Sequence, residues 1–266
     1  MNATLLVIDP QNDFCDIEGA ALPVPGATAD LERLSSLIER ASQSLSDIVV
    51  TLDSHASISI ERTTFWNEAD GKPVAPFTEI TEQAVREGRY APRDASRLPE
   101  VLRYLHALEA AGRYRLMAWP VHCVLGTWGH NIHPTLARQI ATWEERNQRS
   151  ALKVLKGLNP MTEQYSAVRA EVPRADDPLT LTNDVLLDRT KPTDGMLLVA
   201  GEASSHCVAA TLTDLLETMT PQERSRVIIL RDCMSPVPGF EAAAEAFFAR
   251  AVAQGVRRMS SAEVFS

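Results

Sequence analysis

Short apolar runs alternate along this chain with stretches in which apolar residues recur at helical spacing. The runs predict six buried strands, at Leu5–Ile8, Ile48–Leu52, Leu116–Trp119, Leu152–Leu155, Met196–Ala200 and Val227–Leu230. The periodic stretches predict helices, at Leu31–Leu45, Leu98–Ala111, Leu136–Glu145, Cys207–Thr218 and Glu241–Ala253. Continuous apolar strands that alternate with helices are typical of a parallel sheet. The pattern therefore predicts an α/β fold, a doubly wound, Rossmann-like, six-stranded parallel sheet with helices on both faces.

Two long segments, residues 56–97 and 157–195, carry no clear strand pattern and are interrupted by prolines. Segments of this kind are often lids or binding loops that lie over an active site. We therefore expect a single domain over residues 1–266, in which both segments are insertions that cover the active-site edge of the sheet.

The amino-acid composition limits the classes of partner that the protein is expected to bind. The chain has 266 residues, 45% of them apolar, and a net charge of −9. This acidic balance argues against nucleic acid or an anionic membrane as a partner. No apolar run is long enough for a membrane span, and no glycine-rich phosphate loop is present. The four cysteines are scattered without metal-binding spacing, and no signal-peptide pattern is seen, so we expect a cytoplasmic protein.

Polar side chains follow the predicted ends of several distant strands: Asp9, Asp53 with His55, His122, Lys156 and Cys207. In a doubly wound sheet, ligands bind beyond the carboxyl ends of the strands. The topology would therefore gather these residues at one edge, which predicts an active site there.

The strongest candidate for a nucleophile is Cys207. It follows an apolar strand and a short turn, and it opens a predicted helix. The helix dipole lowers a thiol pKa at that position, and the free N–H groups of the turn can stabilise an oxyanion. Asp9 would accept the thiol proton, and Lys156 would stabilise the resulting charges. Separately these residues could be a core cysteine, a strand cap and a solvated lysine, but their joint placement favours catalysis.

A second candidate site combines Asp53, His55 and His122. The D-x-H spacing puts both side chains on one face of an extended segment, and a carboxylate with two imidazoles is a common catalytic metal set. Ser59 and Glu61 could add a ligand or support one. The alternative is an ordinary aspartate cap with two hydrogen-bonded histidines.

Five segments in this order resemble the nicotinamidase/pyrazinamidase branch of the isochorismatase-like cysteine hydrolases. They are LLVIDPQNDFCD at 5–16, TLDSH at 51–55, WPVHCVLGTWG at 119–129, VLKG at 154–157 with YSAV at 165–168, and GEASSHCVAAT at 201–211. The resemblance implies hydrolysis of nicotinamide to nicotinate and ammonia through a thioester. The backbone N–H groups of Ala203 and Cys207 would form the oxyanion hole, after a cis peptide bond between Glu202 and Ala203.

The resemblance also implies a divalent metal that binds the pyridine nitrogen and positions the ring. Its ligands would be Asp53, His55 and His122, and zinc is expected before iron or manganese. Phe14 and Trp119 would pack against the substrate ring. The chain departs from the family in the long stretch between His55 and Trp119, in Glu202, and in Glu61, which lies near the place of a second histidine in some members.

These departures leave alternatives for the function. The protein could hydrolyse another small amide, a ureido compound or isochorismate, or it could be a non-catalytic binding or assembly subunit. The metal set favours the nicotinamidase branch, and the complete set of Asp9, Lys156 and Cys207 argues against a non-catalytic role. A homo-oligomer is compatible with the sequence, since the exposed faces of such sheets commonly pair.

Overall fold

The computed structural model describes residues 2–265 and contains ten strands and eight α-helices in that range. The strands, β1 to β10, are Ala3–Ile8, Leu45–Asp53, Trp66–Glu68, Thr78–Ile80, Tyr90–Pro92, Leu116–Ala118, Leu152–Lys156, Met196–Gly201, Val227–Leu230 and Arg257–Met259. The helices, α1 to α8, are Ala27–Arg40, Glu82–Arg86, Leu98–Ala111, Pro134–Asn147, Asp184–Thr190, Cys207–Thr218, Pro221–Arg224 and Glu241–Ala253. None of these helices is long and apolar enough to cross a bilayer.

Six parallel strands form the central sheet, in the order β10-β9-β8-β1-β2-β7. This confirms the predicted α/β class. The chain runs outward from β1 through β2 to β7, and then returns to place β8 on the other side of β1. Such a reversal creates a crevice at the carboxyl ends of the strands, which is where doubly wound sheets bind ligands.

Helices cover both faces of the sheet, and successive residues of β1 alternate between the two cores. Leu5 and Val7 pack in the core beneath α1 and α4. Leu6 and Ile8 pack in the core beneath α6 and α8. Because β1 is central and buried on both faces, it reads in the sequence as a continuous apolar run.

One predicted sheet strand was wrong. The run Leu116–Trp119 forms β6, which pairs antiparallel with β4 outside the central sheet. Leu116 and Ala118 of this run instead pack in a third core, with Trp66, Ile80 and Leu105. The sixth strand of the sheet is β10, at Arg257–Met259, and it was missed because two of its three residues are arginines.

Two further expectations need correction. The first helix ends at Arg40, and Leu45 begins β2 beside Ala3, so the predicted helix ran too far. Segment 56–97 contains β3, β4, β5 and α2. Its strands have three residues each, which is too short to produce a recognisable alternation of apolar and polar positions.

Gly201 ends β8 and pairs with Ile8 of β1. Its φ is +114°, and a Cβ atom there would lie 2.0 Å from the carbonyl oxygen of Ile8. Only glycine satisfies both demands, so this residue permits the close strand approach that leads into the turn before Cys207.

Candidate active site

A cavity opens at the carboxyl edge of the sheet and encloses about 420 Å³, including its mouth. Its wall is formed by Phe14, Leu22, Asp53, His55, Arg62, Trp119, His122, Glu163, Tyr165, Ala203, His206, Cys207 and Val237. A mainly apolar wall with a few convergent polar groups is typical of a small-molecule site. The cavity therefore brings Cys207 together with the aromatic and polar residues singled out in the sequence.

Cys207 is the first residue of α6 and is buried in the cavity wall. Burial raises the pKa of its thiol well above the usual range, although Lys156 acts to lower it. Desolvation is the largest influence on this pKa, and it acts against the lowering that was expected from the helix N-terminus. Cys207 rests as a neutral thiol and needs a base to become a nucleophile.

Lys156 ends β7 and links the nucleophile to two carboxylates. Its Nζ lies 2.9 Å from Asp9 Oδ2, 2.7 Å from Asp53 Oδ1 and 3.5 Å from Cys207 Sγ. Asp9 Oδ1 also accepts a hydrogen bond from Thr51 at 2.6 Å. Burial raises the pKa of Asp9, with Lys156 opposing the rise. The three predicted catalytic side chains thus form one buried, directly connected group.

Replacing Lys156 by methionine should destabilise the fold by about 3–5 kcal/mol, because it leaves the carboxylates of Asp9 and Asp53 buried without their shared cation. Urea unfolding, with the midpoint and slope compared between variants, measures the loss. Lys153→Met is the matched control, since Lys153 lies on the same strand but is exposed and pairs with Glu144. Equal stability of the two variants would contradict the structural role of Lys156.

The turn before Cys207 contains the expected cis peptide bond between Glu202 and Ala203. Among residues 2–265, no protein group accepts a hydrogen bond from the backbone N–H of Ala203 or of Cys207. Glu202 is fully buried behind this turn, and its Oε2 accepts from Ser235 N at 3.1 Å. Burial holds the pKa of Glu202 well above its ordinary value. The backbone N–H groups of Ala203 and Cys207 are therefore free to donate to an oxyanion beside the thiol.

Asp53, His55 and His122 also come together at the cavity. His55 Nε2 lies 2.9 Å from Asp53 Oδ1, and His122 Nε2 lies 3.4 Å from Asp53 Oδ2. Strand β2 supplies Asp53. His122 arrives from outside the central sheet, held by a backbone bridge between His55 and Val124.

Arg62 joins this group and was missed in the sequence. Its side chain is fully buried, and its Nη1 lies 2.6 Å from His122 Nδ1 and 3.0 Å from His122 Nε2. His122 Nδ1 also lies 2.8 Å from the Pro120 carbonyl oxygen. Burial and the charge of Arg62 lower the pKa of His122 to about 4. His122 is therefore neutral, and the unprotonated nitrogen of its ring accepts from Arg62.

His55 is held differently, between two carboxylates. Its Nδ1 lies 2.9 Å from Glu61 Oε1, opposite the contact of its Nε2 with Asp53. Ser59 donates to Glu61 Oε2 at 2.6 Å. Burial and Arg62 lower the pKa of His55, but Asp53 and Glu61 outweigh them and raise it to about 9. His55 is a cation in this arrangement, and Ser59 and Glu61 support it.

Similarity searches place the chain among known proteins. No family model matches it. It is 30% identical to a nicotinamidase of Saccharomyces cerevisiae over 165 residues, which span 62% of this chain and 61% of the yeast protein, less than two thirds of its length. It is 26% identical to a nicotinamidase of Escherichia coli over 218 residues, 80% of this chain and 76% of that protein.

Solved structures share the fold. The yeast nicotinamidase Pnc1p aligns with a TM-score of 0.67 at 23% identity, covering 97% of this chain and 99% of that one. A pyrazinamidase of Pyrococcus horikoshii in complex with zinc aligns with a TM-score of 0.58 at 19% identity, covering 98% and 99%.

The curated relatives are both nicotinamidases, and the motif residues that suggested this family meet at one cavity. The chain is similar to nicotinamidases in sequence, and it shares its fold with solved nicotinamidases and pyrazinamidases. Among these similar structures, that of the P. horikoshii pyrazinamidase is a complex with zinc. This zinc raises the question of whether Asp53, His55 and His122 could hold a metal ion in the present chain.

In the arrangement described, these side chains do not fit a metal ion. Both ring nitrogens of His55 face carboxylates, and the cationic Arg62 lies within hydrogen-bond distance of both ring nitrogens of His122. A metal-binding imidazole needs an unprotonated nitrogen that is free for the ion. Within residues 2–265, no three His, Cys, Asp or Glu side chains form a group that could hold a metal ion. The metal role of Asp53, His55 and His122 is thus a prediction that the hydrogen bonding does not support.

The aromatic residues expected to contact the substrate, Phe14 and Trp119, do line the cavity. The ring of Phe14 lies 5.2 Å from that of His122, and Trp119 Nε1 donates to Tyr165 Oη at 3.0 Å. His206 packs against Trp119 at 5.3 Å, and burial lowers its pKa to about 4. His206 is thus a neutral wall residue. Tyr165 lies in the YSAV segment, which was singled out in the sequence only by the family resemblance and without a role for the tyrosine.

Glu163 is another cavity residue that sequence reasoning missed. It is buried, its Oε1 accepts from Gln164 N at 2.9 Å, and its Oε2 has no partner among residues 2–265. Burial raises its pKa to about 8, with Glu61 adding to the rise and His55 opposing it. A buried carboxyl group of this kind is protonated at neutral pH and can donate a hydrogen bond into the cavity.

This raised pKa predicts a pH dependence of stability. Between about pH 4.5 and pH 8 the native state keeps a proton on Glu163 that the unfolded state releases, so stability falls as pH rises through this window. Glu163→Gln should therefore show a shallower fall in unfolding free energy, measured in urea from pH 5 to about pH 9. Glu217→Gln, at an exposed position, is the control. A Glu163→Gln profile parallel to the wild type would contradict the shift.

Proposed function

We propose that this protein hydrolyses nicotinamide to nicotinate and ammonia through a thioester on Cys207. The observation that carries the proposal is the contact of Lys156 with both Asp9 and Cys207 beside two unpaired backbone N–H groups. A thiol, a carboxylate base and an oxyanion hole are the parts required for acyl transfer from an amide. The nicotinamidase names of the curated relatives support nicotinamide as the substrate.

The first half of the reaction forms the thioester. Asp9 takes the proton of Cys207, and the resulting thiolate attacks the carboxamide carbon. The negative charge that develops on the oxygen is stabilised by the N–H groups of Ala203 and Cys207. Asp9 then returns the proton to the nitrogen as the C–N bond breaks, so that ammonia leaves and the acyl group stays on sulfur.

The second half releases the acid. Asp9, again a carboxylate, takes a proton from water as the water attacks the thioester carbon. The same two N–H groups stabilise the second oxyanion. The C–S bond breaks, the sulfur regains a proton, and nicotinate departs. Lys156 keeps a positive charge beside Asp9 and Cys207 throughout, which offsets each change of charge in this buried site.

Substrate placement would rest on the cavity wall. Phe14 and Trp119 would pack against the pyridine ring, and the polar group around Arg62 would face the ring nitrogen. The family resemblance adds a divalent cation at Asp53, His55 and His122, with zinc expected before iron or manganese. None of the steps above uses such an ion. We further propose a cytoplasmic location, in keeping with the four free cysteines.

The deciding experiment is an assay of ammonia and nicotinate released from nicotinamide by the purified protein. Equal amounts of both products would support the proposal, and a parallel sample treated with a chelator would test the divalent cation. A folded protein that releases neither product, with and without added zinc, manganese or iron, would reject nicotinamide. The search would then turn to other small amides and ureido compounds.

A further inference from the structure

We propose that the guanidinium of Arg62 takes the place of the divalent metal, so that this enzyme holds the substrate ring without a metal ion. The inference rests on the proposed function, because it concerns the ring of the same substrate. It departs from the metal that the family resemblance implies. It predicts that Arg62 donates a hydrogen bond to the ring nitrogen of nicotinamide.

The position of Arg62 is fixed by backbone as well as side-chain contacts. Its backbone forms a parallel bridge with Trp119, and the neighbouring Thr63 N donates to the Trp119 carbonyl at 3.0 Å. Its side chain is fully buried, with Nη1 against His122 and Nε 3.5 Å from Glu61 Oε1. The guanidinium is therefore a permanent positive charge built into the cavity wall, beside the side chains that a metal would require.

Two nitrogens of Arg62, Nε and Nη2, have no hydrogen-bond acceptor among residues 2–265, and only Nε has a carboxylate oxygen as near as 3.5 Å. Among residues 2–265, its Nη2 donates no hydrogen bond, and Asp53 Oδ2 lies 3.9 Å away, beyond hydrogen-bond range. A buried donor that stays unpaired is costly, and a guanidinium cannot avoid the cost by losing its proton. Because Arg62 lines the cavity, a ligand with an acceptor at this end would satisfy Nη2.

The pyridine nitrogen of nicotinamide is such an acceptor. It carries a lone pair in the plane of the ring and no proton at neutral pH. A guanidinium N–H can donate to that lone pair, which is the same lone pair that a metal ion would bind. The chemistry of Arg62 therefore selects aromatic amides with a ring acceptor over the carbocyclic amide of the same shape, benzamide.

Metal content tests the first half of the proposal and needs no enzyme activity. The purified wild-type protein is incubated separately with Zn²⁺, Mn²⁺ and Fe²⁺, desalted and analysed for metal. We expect far less than one equivalent of any ion, and the same content in Asp53→Asn. One retained ion per chain that is lost in Asp53→Asn would overturn the proposal.

Substrate discrimination tests the second half. Arg62→Ala should lower kcat/KM for nicotinamide by about 10- to 100-fold more than it lowers kcat/KM for benzamide, which corresponds to the loss of a charged hydrogen bond to the ring nitrogen. Guanidinium added at non-denaturing concentration should restore part of the nicotinamide rate. Arg62→Lys, which keeps the charge, covers the case in which the alanine variant does not fold. Equal losses for both amides would overturn the role of Arg62 in ring recognition.

The two proposals can fail separately. If the wild type hydrolyses neither amide, the nicotinamidase proposal fails, whereas the metal analysis still decides whether Arg62 replaces the ion. If nicotinamide is hydrolysed only after zinc is added, the function stands and the metal-free proposal is rejected.

Discussion

Replacing Cys207 by alanine should reduce nicotinamide hydrolysis by about 10⁴-fold or more, the scale of loss when a covalent nucleophile is removed. The thiol is the only reactive sulfur in the cavity wall as described for residues 2–265, and it lies 3.5 Å from Lys156 Nζ. No neighbouring group in that wall can form the thioester in its place. Ammonia release under saturating nicotinamide measures the effect.

Cys233→Ala is the matched control for this variant. Cys233 is also a buried free cysteine, but it lies in the core beneath α1 and α4 and not in the cavity. We expect it to keep its activity. Calorimetry with nicotinamide separates chemistry from binding, because Cys207→Ala should still bind the amide. Appreciable turnover by a verified Cys207→Ala protein would reject the thioester mechanism.

The second large effect is expected from Asp9→Asn, which should lower kcat by about 10²- to 10⁴-fold, the usual contribution of a general base. The asparagine keeps the shape of the side chain and can still accept from Thr51, so the fold should be less affected than the rate. It removes the group that takes the proton from a thiol whose pKa is raised by burial.

The pH profile distinguishes this role from a structural one. Burial raises the pKa of Asp9, so the acid limb of kcat/KM in the wild type should lie above the ordinary range for aspartate. The rate should rise with pH through that limb, as Asp9 loses its proton. In Asp9→Asn the limb should disappear together with most of the rate. An unchanged acid limb in a slow Asp9→Asn enzyme would assign the limb to another group.

Most of the sheet and the core of the site could be predicted from the chain. Asp9, Asp53 and Lys156 follow apolar runs that form β1, β2 and β7, and parallel topology brings their ends together. His122 was also predicted to join them, but for an incomplete reason. The run before it forms β6 outside the central sheet. Backbone pairing of His55 with Val124 holds the histidine at the site.

Arg62 and Glu163 could not be predicted in the same way. Charged residues in loops are usually solvated, and nothing in the local pattern distinguishes these two from exposed ones. Arg62 lies beside the third core, where residues 60–108 and β6 pack together, and Glu163 lines the cavity together with Tyr165 from the same segment. Long-range packing of this kind leaves no periodic signal in the sequence. The contact between Arg62 and His122, which argues against a metal ion at this site, could not be predicted from the sequence for the same reason.

Lys156 is shared between the two ends of the site, because one amine contacts both Asp9 and Asp53. Thiol activation and ring recognition are therefore not independent modules. A substitution near Asp53 that adapts the site to a different amide would also change the electrostatic potential at the sulfur of Cys207, because Lys156 contacts both residues. Redesign of substrate preference in this scaffold would have to conserve the net charge around Asp53, or accept a slower nucleophile as its consequence.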